Sequence, residues 1–261
     1  MNKQALPGVM IDTINQRRII MRTIYHAAGT RGHADHGWLK SNHTFSFANY
    51  HNRARTNFGV LRVINDDYVA GGEGFGTHPH NDMEIISIPL EGDLEHRDSM
   101  GSGGIIRRGD IQVMSAGTGV THSEFNANAD RPVKFLQIWV FPREKGLTPR
   151  YGQMHIADFS RPDEFQQIVS PDQEDEGMWV NQDAWFHLAD FGAGVKKEYQ
   201  LKKPGNGVYL FVISGQAKVG DQILHPRDGY GIWEADSFTL EATDKSEILL
   251  MEVPMELPQY L

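Results

Sequence analysis

Residues 72–88 have the sequence Gly72-Glu73-Gly74-Phe75-Gly76-Thr77-His78-Pro79-His80-Asn81-Asp82-Met83-Glu84-Ile85-Ile86-Ser87-Ile88. The glycine-rich first part ends in a histidine pair, and the last part is an isoleucine-rich run of β type. Similar short β-type runs lie on either side, at residues 59–64 and 134–141. Many short strands with frequent glycine turns predict an all-β sandwich or barrel. Turn-like segments at residues 101–104 and 107–110 favour antiparallel pairing.

Composition limits the classes of protein to consider. The 261 residues are 39% hydrophobic and 23% charged, which is typical of a folded globular protein. The net charge is 25 − 34 = −9, which disfavours direct binding to nucleic acid or to an anionic membrane. Because the chain has no cysteine, a metal ion would have to bind to nitrogen and oxygen atoms. We find no signal-peptide pattern and no apolar run long enough to cross a bilayer, so we expect a cytoplasmic protein.

The chain divides into two β-rich blocks. A connector rich in proline and glycine lies at residues 141–151, and a second block of alternating strands and turns begins near residue 208. Residues 88–94 and 211–217 share the order apolar strand, polar residue, glycine, strand, which indicates a divergent internal repeat. We therefore predict an extension at residues 1–21, a metal-binding domain at 22–145 and a domain without metal at 146–261.

Two pairs of potential ligands give the first block its chemistry. His78 and His80 stand two residues apart, as do His122 and Glu124, and residues two apart on a strand share a face. Adjacent strands would then surround one ion with three imidazoles and one carboxylate, a set that suits iron, copper, nickel, manganese or zinc better than calcium or magnesium. One His-x-His pair alone is more often a surface or hydrogen-bonded pair, and the second pair favours the metal. Glu84 is an alternative carboxylate.

These motifs resemble those of the cupin superfamily, and especially those of bacterial pirins. His78-x-His80-x3-Glu84, followed by Gly92, is similar to the first cupin motif, although the glycine comes one residue late. The pattern Gly119-x2-His122-x3-Asn126 resembles the end of the second motif, with Gly117 where proline is common. The segments whose sequence is similar to that of pirins are residues 31–39, 43–47, 76–84 and 115–119.

The resemblance implies a bicupin, in which two antiparallel β-barrels of jelly-roll type are stacked and only the N-terminal one holds metal. The pirin pattern implies the same ligands, namely His78, His80, His122 and Glu124, with Glu84 nearby as a polar residue that does not bind the ion. Fe(II) is the first candidate for the divalent metal, with nickel, copper, manganese and zinc as alternatives. Some pirins are similar in activity to quercetin 2,3-dioxygenases, which cleave a flavonol with dioxygen and release carbon monoxide.

Such an activity would assign roles to further residues. The metal ion would lower the pKa of a flavonol hydroxyl, and Glu124 would serve as the catalytic proton acceptor. Phe47, Phe75, Met100 and Phe125 are candidates for the apolar wall that binds a small planar aromatic substrate, and each also fits a plain core role.

Two other functions fit the same ligands. One is a metal-binding regulatory protein that senses redox state and acts through contacts with a protein partner, as a transcription or enzyme cofactor. The other is a cupin resembling sugar isomerases. An apolar pocket that reaches the metal would favour the enzyme. His33, His36 and His43 stay outside the predicted site, because their spacings of three and seven do not match a strand pair.

Overall fold

The computed structural model describes residues 21–261 and consists of β-strands joined by turns and two short 3-10 helices, Ala28–Thr30 and Ala157–Phe159. The predicted extension lies outside the described residues, apart from its last residue. Of the helices within 21–261, none has the length and apolar character needed to cross a membrane. The predicted all-β class is confirmed.

The strands follow one another at short intervals. Those of the first part of the chain are β1 Arg22–His26, β2 Gly32–Asp35, β3 Leu39–His43, β4 Leu61–Val69, β5 Gly74–His80, β6 Glu84–Glu91, β7 Asp93–Asp98, β8 Gly103–Arg107, β9 Asp110–Ser115, β10 Val120–Asn126, β11 Val133–Val140 and β12 Arg150–His155. Those of the second part are β13 Phe165–Ser170, β14 Met178–Trp179, β15 Trp185–Phe191, β16 Lys196–Gln200, β17 Asn206–Ser214, β18 Ala217–Val219, β19 Gln222–Leu224, β20 Gly229–Trp233, β21 Ser237–Ala242 and β22 Ser246–Pro254.

These strands form two pairs of facing sheets. In the first half, the sheet β12-β9-β6-β11-β4-β3-β2 faces the sheet β5-β10-β7-β8. In the second half, the sheet β1-β20-β17-β22-β15-β13-β14 faces the sheet β16-β21-β18-β19. The two-unit cupin architecture is therefore confirmed, although each expected barrel is a pair of sheets that is not closed into one continuous ladder.

The large sheets of the two halves pack against each other and form the main core. Ile86 and Leu136 of the first half belong to the same buried cluster as Phe186, Phe211 and Met251 of the second. Smaller cores fill the space between each large sheet and its four-stranded partner. Each seven-stranded sheet is thus covered on both faces, which explains why the central strands β11 and β22 are buried along most of their length and lack a regular alternation of polar and apolar residues.

Strand pairing crosses the predicted domain boundary in both directions. β1 lies in the predicted first domain but pairs with β20 of the second half. β12 follows the connector but pairs with β9 of the first half. The division at residues 145 and 146 stays a prediction, and each half takes one edge strand from the other side of it.

A glycine turn fixes the start of β10. Gly117 adopts a φ of +46°, and a Cβ at this position would collide with the carbonyl oxygen of Leu147. The Gly117 carbonyl accepts a hydrogen bond from the Asp82 amide at 2.9 Å, and the Thr118 amide donates to Leu147 at 2.8 Å. The turn therefore ties the beginning of β10 to the segment that follows β5.

Candidate metal centre

The two predicted ligand pairs lie on neighbouring antiparallel strands. β5 ends with His78 and His80, and β10 carries His122 and Glu124. The register places His122 directly opposite His78, and a bulge separates His122 from Glu124. His122 and Glu124 are buried, whereas Phe125, the residue after Glu124, is exposed. The structure brings both pairs to one end of the first half, and their role as ligands stays a prediction.

Three imidazole rings form a compact cluster. The ring centroids of His78 and His122 are 4.4 Å apart, and His80 lies 4.8 Å from each of them. His78 donates from Nδ1 to the Gly76 carbonyl at 2.8 Å, which leaves a lone pair on Nε2. The Nε2 atom of His122 is buried without a hydrogen-bond partner among the described residues. A buried nitrogen of this kind fits a metal ligand, because a bound ion would satisfy it.

Burial keeps two rings of the cluster, His80 and His122, in the form that binds metal. Desolvation, with the neighbouring His78, lowers the pKa of His80 to about 4. Desolvation, followed by the charges of His78, His80 and His96, lowers the pKa of His122 to about 2. Both rings are therefore neutral at physiological pH, and neutral imidazole is the ligating form.

Glu124 belongs to a second group that shares His122 with the histidine cluster. Its carboxylate lies with His96 and His122 in a set whose potential ligand atoms are all within 4.8 Å of one another. Gln137 Nε2 donates to both carboxylate oxygens, at 3.0 and 2.8 Å, and Ser87 donates to Oε1 at 3.3 Å. Burial raises the pKa of Glu124 to about 7, against the opposing effect of these hydrogen bonds. The carboxylate is held in one orientation at the base of the site.

His96 is a buried site residue that the sequence interpretation missed. Its Nε2 lies 3.2 Å from Asp98 Oδ2, and its Nδ1 lies 3.4 Å from His122 Nδ1. Because the carboxylate accepts a hydrogen bond from Nε2–H, neutral His96 accepts at Nδ1, and His122 donates from Nδ1. That arrangement leaves the lone pair of His122 on the unpartnered Nε2. His96 and Asp98 are again two residues apart on β7, which is the signal that could have identified them.

A cavity of about 140 Å³ opens onto the histidine cluster. Of the four predicted substrate contacts, Phe47 and Phe75 line it, whereas Met100 and Phe125 are exposed elsewhere. The apolar part of the lining also includes Leu39, Ile85 and Trp139. Trp139 packs edge-on against His80, with 5.0 Å between the ring centroids. The cavity thus has aromatic side chains in its lining beside the histidines that could bind an ion.

Part of the wall of this cavity is polar. It is formed by β3 and β4 and contains Ser41, His43, Asn65 and Asp67. His43 had been excluded from the site on spacing, and the structure places it in the cavity lining with His36 at the mouth. Asn65 and Asp67, which line the cavity with His43, come from β4. The spacing of histidines along the chain therefore does not predict that His43 lines the cavity.

Glu84, the alternative carboxylate, is buried away from the cluster. It accepts hydrogen bonds from Ser115 at 2.8 Å and from Asn181 at 3.1 Å. A larger cleft, of about 790 Å³, lies between the two halves beside Arg108 and Glu247. No predicted site residue lines that cleft.

Family models match both halves of the chain. The model described as Pirin matches residues 24–140, and the quercetinase C-terminal cupin domain matches residues 167–253. The quercetin 2,3-dioxygenase of Escherichia coli K12 is 41% identical over 227 residues, which cover 87% of this chain and 96% of that protein. A pirin-like protein of Caulobacter vibrioides is 38% identical over 85% of this chain and 95% of its own length.

Solved structures show the same likeness. The crystal structure of the bacterial pirin YhhW from E. coli in complex with nickel(II) matches with a TM-score of 0.85 and 39% identity, covering 89% of this chain and 99% of that one. A quercetin 2,3-dioxygenase from Acinetobacter baumannii matches with a TM-score of 0.70 and 22% identity, over 88% of this chain and 85% of that one, and shows the fold alone. These likenesses confirm the resemblance seen in the motifs, favour an enzyme of the oxidoreductase class and support a metal site.

Proposed function

Because the chain belongs to the pirin family, we propose that it is a metal-dependent dioxygenase acting on a planar compound with an ionisable hydroxyl group. One observation carries the proposal: the histidine cluster, with the unpartnered Nε2 of His122, opens onto a cavity walled by Phe47 and Phe75. Relatives that are named quercetin 2,3-dioxygenase make a flavonol the first compound to test.

His78, His80, His122 and Glu124 are the proposed ligands of one divalent transition ion, with Fe(II) as the first candidate. All four offer nitrogen or oxygen donors, which also suit nickel, copper, manganese and zinc. When bound, the ion would supply Lewis acidity that lowers the pKa of the substrate hydroxyl. His96 and Asp98 would keep His122 in the tautomer that presents Nε2.

The protein residues would position the substrate and accept its proton. Phe47, Phe75 and Trp139 would pack against a flat ring and exclude water from it. Glu124 would accept the hydroxyl proton, with its carboxylate oriented by Gln137. The exposed Met100 and Phe125 have no part in this proposal. For a flavonol, the overall reaction consumes one dioxygen and releases one carbon monoxide as the heterocycle opens.

The test follows oxygen consumption and loss of the quercetin absorbance band in protein loaded separately with iron, nickel, copper or manganese. A His80→Ala variant removes a proposed ligand, and His33→Ala changes an exposed histidine as the matched control. We expect turnover with at least one ion, its loss in His80→Ala and its retention in His33→Ala. Turnover that persists in His80→Ala would reject the proposed site. If the metal-loaded wild type shows no turnover with any of the ions, quercetin is rejected as a substrate and the regulatory alternative is favoured.

A further inference from the structure

The cavity at the histidine cluster has the volume of a single aromatic ring. It measures about 140 Å³. An apolar cavity of about 150 Å³ in a protein binds benzene, whereas pockets that enclose drug-sized ligands measure about 300–1,000 Å³. A three-ring flavonol would therefore leave two of its rings outside, in the mouth beside His36 and Ala48.

The polar wall presents two hydrogen-bond acceptors to this small space. Ser41 donates to Asp67 Oδ1, and Asp67 Oδ2 has no hydrogen-bond partner within residues 21–261. His43 donates from Nδ1 to Asn65 Oδ1 at 2.9 Å, so its lone pair is on Nε2, which also has no partner within that range. Both side chains are buried, with 5% and 3% of their surface exposed, and both line the cavity.

Acceptor atoms that line a cavity and have no protein donor can receive hydrogen bonds from the hydroxyl groups of a ligand. Burial lowers the pKa of His43, so its ring is neutral and can accept a hydrogen bond. Burial raises the pKa of Asp67 to about 7, so Asp67 accepts at Oδ2 in the ionised form, which predominates above that pH. The aromatic residues of the lining, among them Phe47 at 5.2 Å from His43 between ring centroids, favour a flat ligand. The lining of one cavity therefore combines the histidine cluster, aromatic side chains and two acceptors.

We propose that the compound enclosed by this cavity is a single-ring phenol with at least two hydroxyl groups. One hydroxyl would face the cluster of His78, His80 and His122, and the other would donate to Asp67 or His43. This inference rests on the proposed function, because it names the substrate class for the same site. It assigns Asp67 to substrate selection, a role separate from the metal ligands.

Binding to zinc-loaded protein tests the inference without turnover, since zinc has no redox chemistry. The probes are phenol, resorcinol and hydroquinone, measured by isothermal titration calorimetry. The two diols cannot chelate one ion through both oxygens, so any gain over phenol reports the second hydroxyl. We expect at least one diol to bind about tenfold more tightly than phenol, which corresponds to one hydrogen bond to a buried polar acceptor.

The variant Asp67→Leu, measured at about pH 8 where Asp67 is ionised, removes the acceptor and keeps the number of side-chain heavy atoms. We expect it to abolish the advantage of the preferred diol while the affinity for phenol changes less than threefold, a difference that misfolding cannot produce. Quercetin should bind no more tightly than the preferred diol. Three results would each overturn the inference. They are equal affinities for phenol and both diols, a diol advantage that survives Asp67→Leu, and binding of quercetin more than tenfold tighter than that of the preferred diol.

The two proposals can fail separately. Diol selectivity without oxygen consumption on any of these compounds would reject the dioxygenase and leave the ligand class standing. Efficient turnover of quercetin without diol selectivity would support the dioxygenase and reject the single-ring diol as the ligand class.

Discussion

The hydrogen bond from His122 to His96 gives the most direct test of how the site is built. Replacing His96 with leucine removes the acceptor that holds the proton on His122 Nδ1. The lone pair of His122 would no longer be fixed on the inward Nε2, and the ring would lose its orientation. Loss of such a supporting partner costs about 10–100-fold in metal affinity, which corresponds to about 1.4–2.7 kcal/mol.

Competition between the protein and a chromophoric chelator for zinc or nickel measures that affinity. His96→Asn is the matched variant, because its amide oxygen can take the place of Nδ1, and it should recover most of the lost affinity. His33→Leu, at an exposed histidine that contacts Asn42, should bind like the wild type. An affinity within twofold of wild type in His96→Leu would refute the assigned tautomer, and equal losses in the leucine and asparagine variants would point to packing instead.

Three further predictions follow from other parts of the molecule. Saturating zinc at about 100 times its dissociation constant should stabilise the wild type by about 2.7 kcal/mol in unfolding experiments, and His80→Ala should abolish this metal-dependent gain. Gly117→Ala should destabilise the protein by about 2–5 kcal/mol in urea unfolding, because alanine is strained at this left-handed φ and its Cβ would collide with Leu147. Gly101→Ala is the control: its φ is also left-handed but the space around it is open, so it should cost only about 1–2 kcal/mol. Burial, followed by the charge of Arg55, lowers the pKa of His26 from 6.5 to about 4. Between pH 6.5 and pH 4 the unfolded chain therefore binds more protons at His26 than the folded protein does, so the stability falls as the pH drops. From pH 7.5 to pH 5 the wild type should lose roughly 2 kcal/mol more than His26→Asn, and parallel pH profiles of the two proteins would contradict this assignment.

The sequence predicted those features of the site that depend on local spacing. Residues two apart on a strand share a face, so His78 with His80 and His122 with Glu124 could be paired before any contact was known. The glycine turns likewise predicted short antiparallel strands. These signals come from a few adjacent residues, and the fold preserves them.

Features that depend on pairing between distant strands could not be predicted in the same way. His96 reaches the site because β7 lies beside β10, and nothing in the local sequence specifies that neighbour. Asp67 and His43 form one wall because β3 pairs with β4 across a long loop. The exchange of β1 and β12 between the halves is equally remote from local periodicity.

That exchange of edge strands limits how the chain can be divided. A fragment ending at residue 145 would keep β1 without its partner β20 and would leave the edge of β9 bare. The complementary fragment would carry β12 with nothing to pair with and an open edge at β20. Exposed edges of this kind recruit further copies and lead to aggregation. Each half therefore depends on the other for the pairing of an edge strand, so the half without the histidine cluster contributes to the folding of the half that contains it.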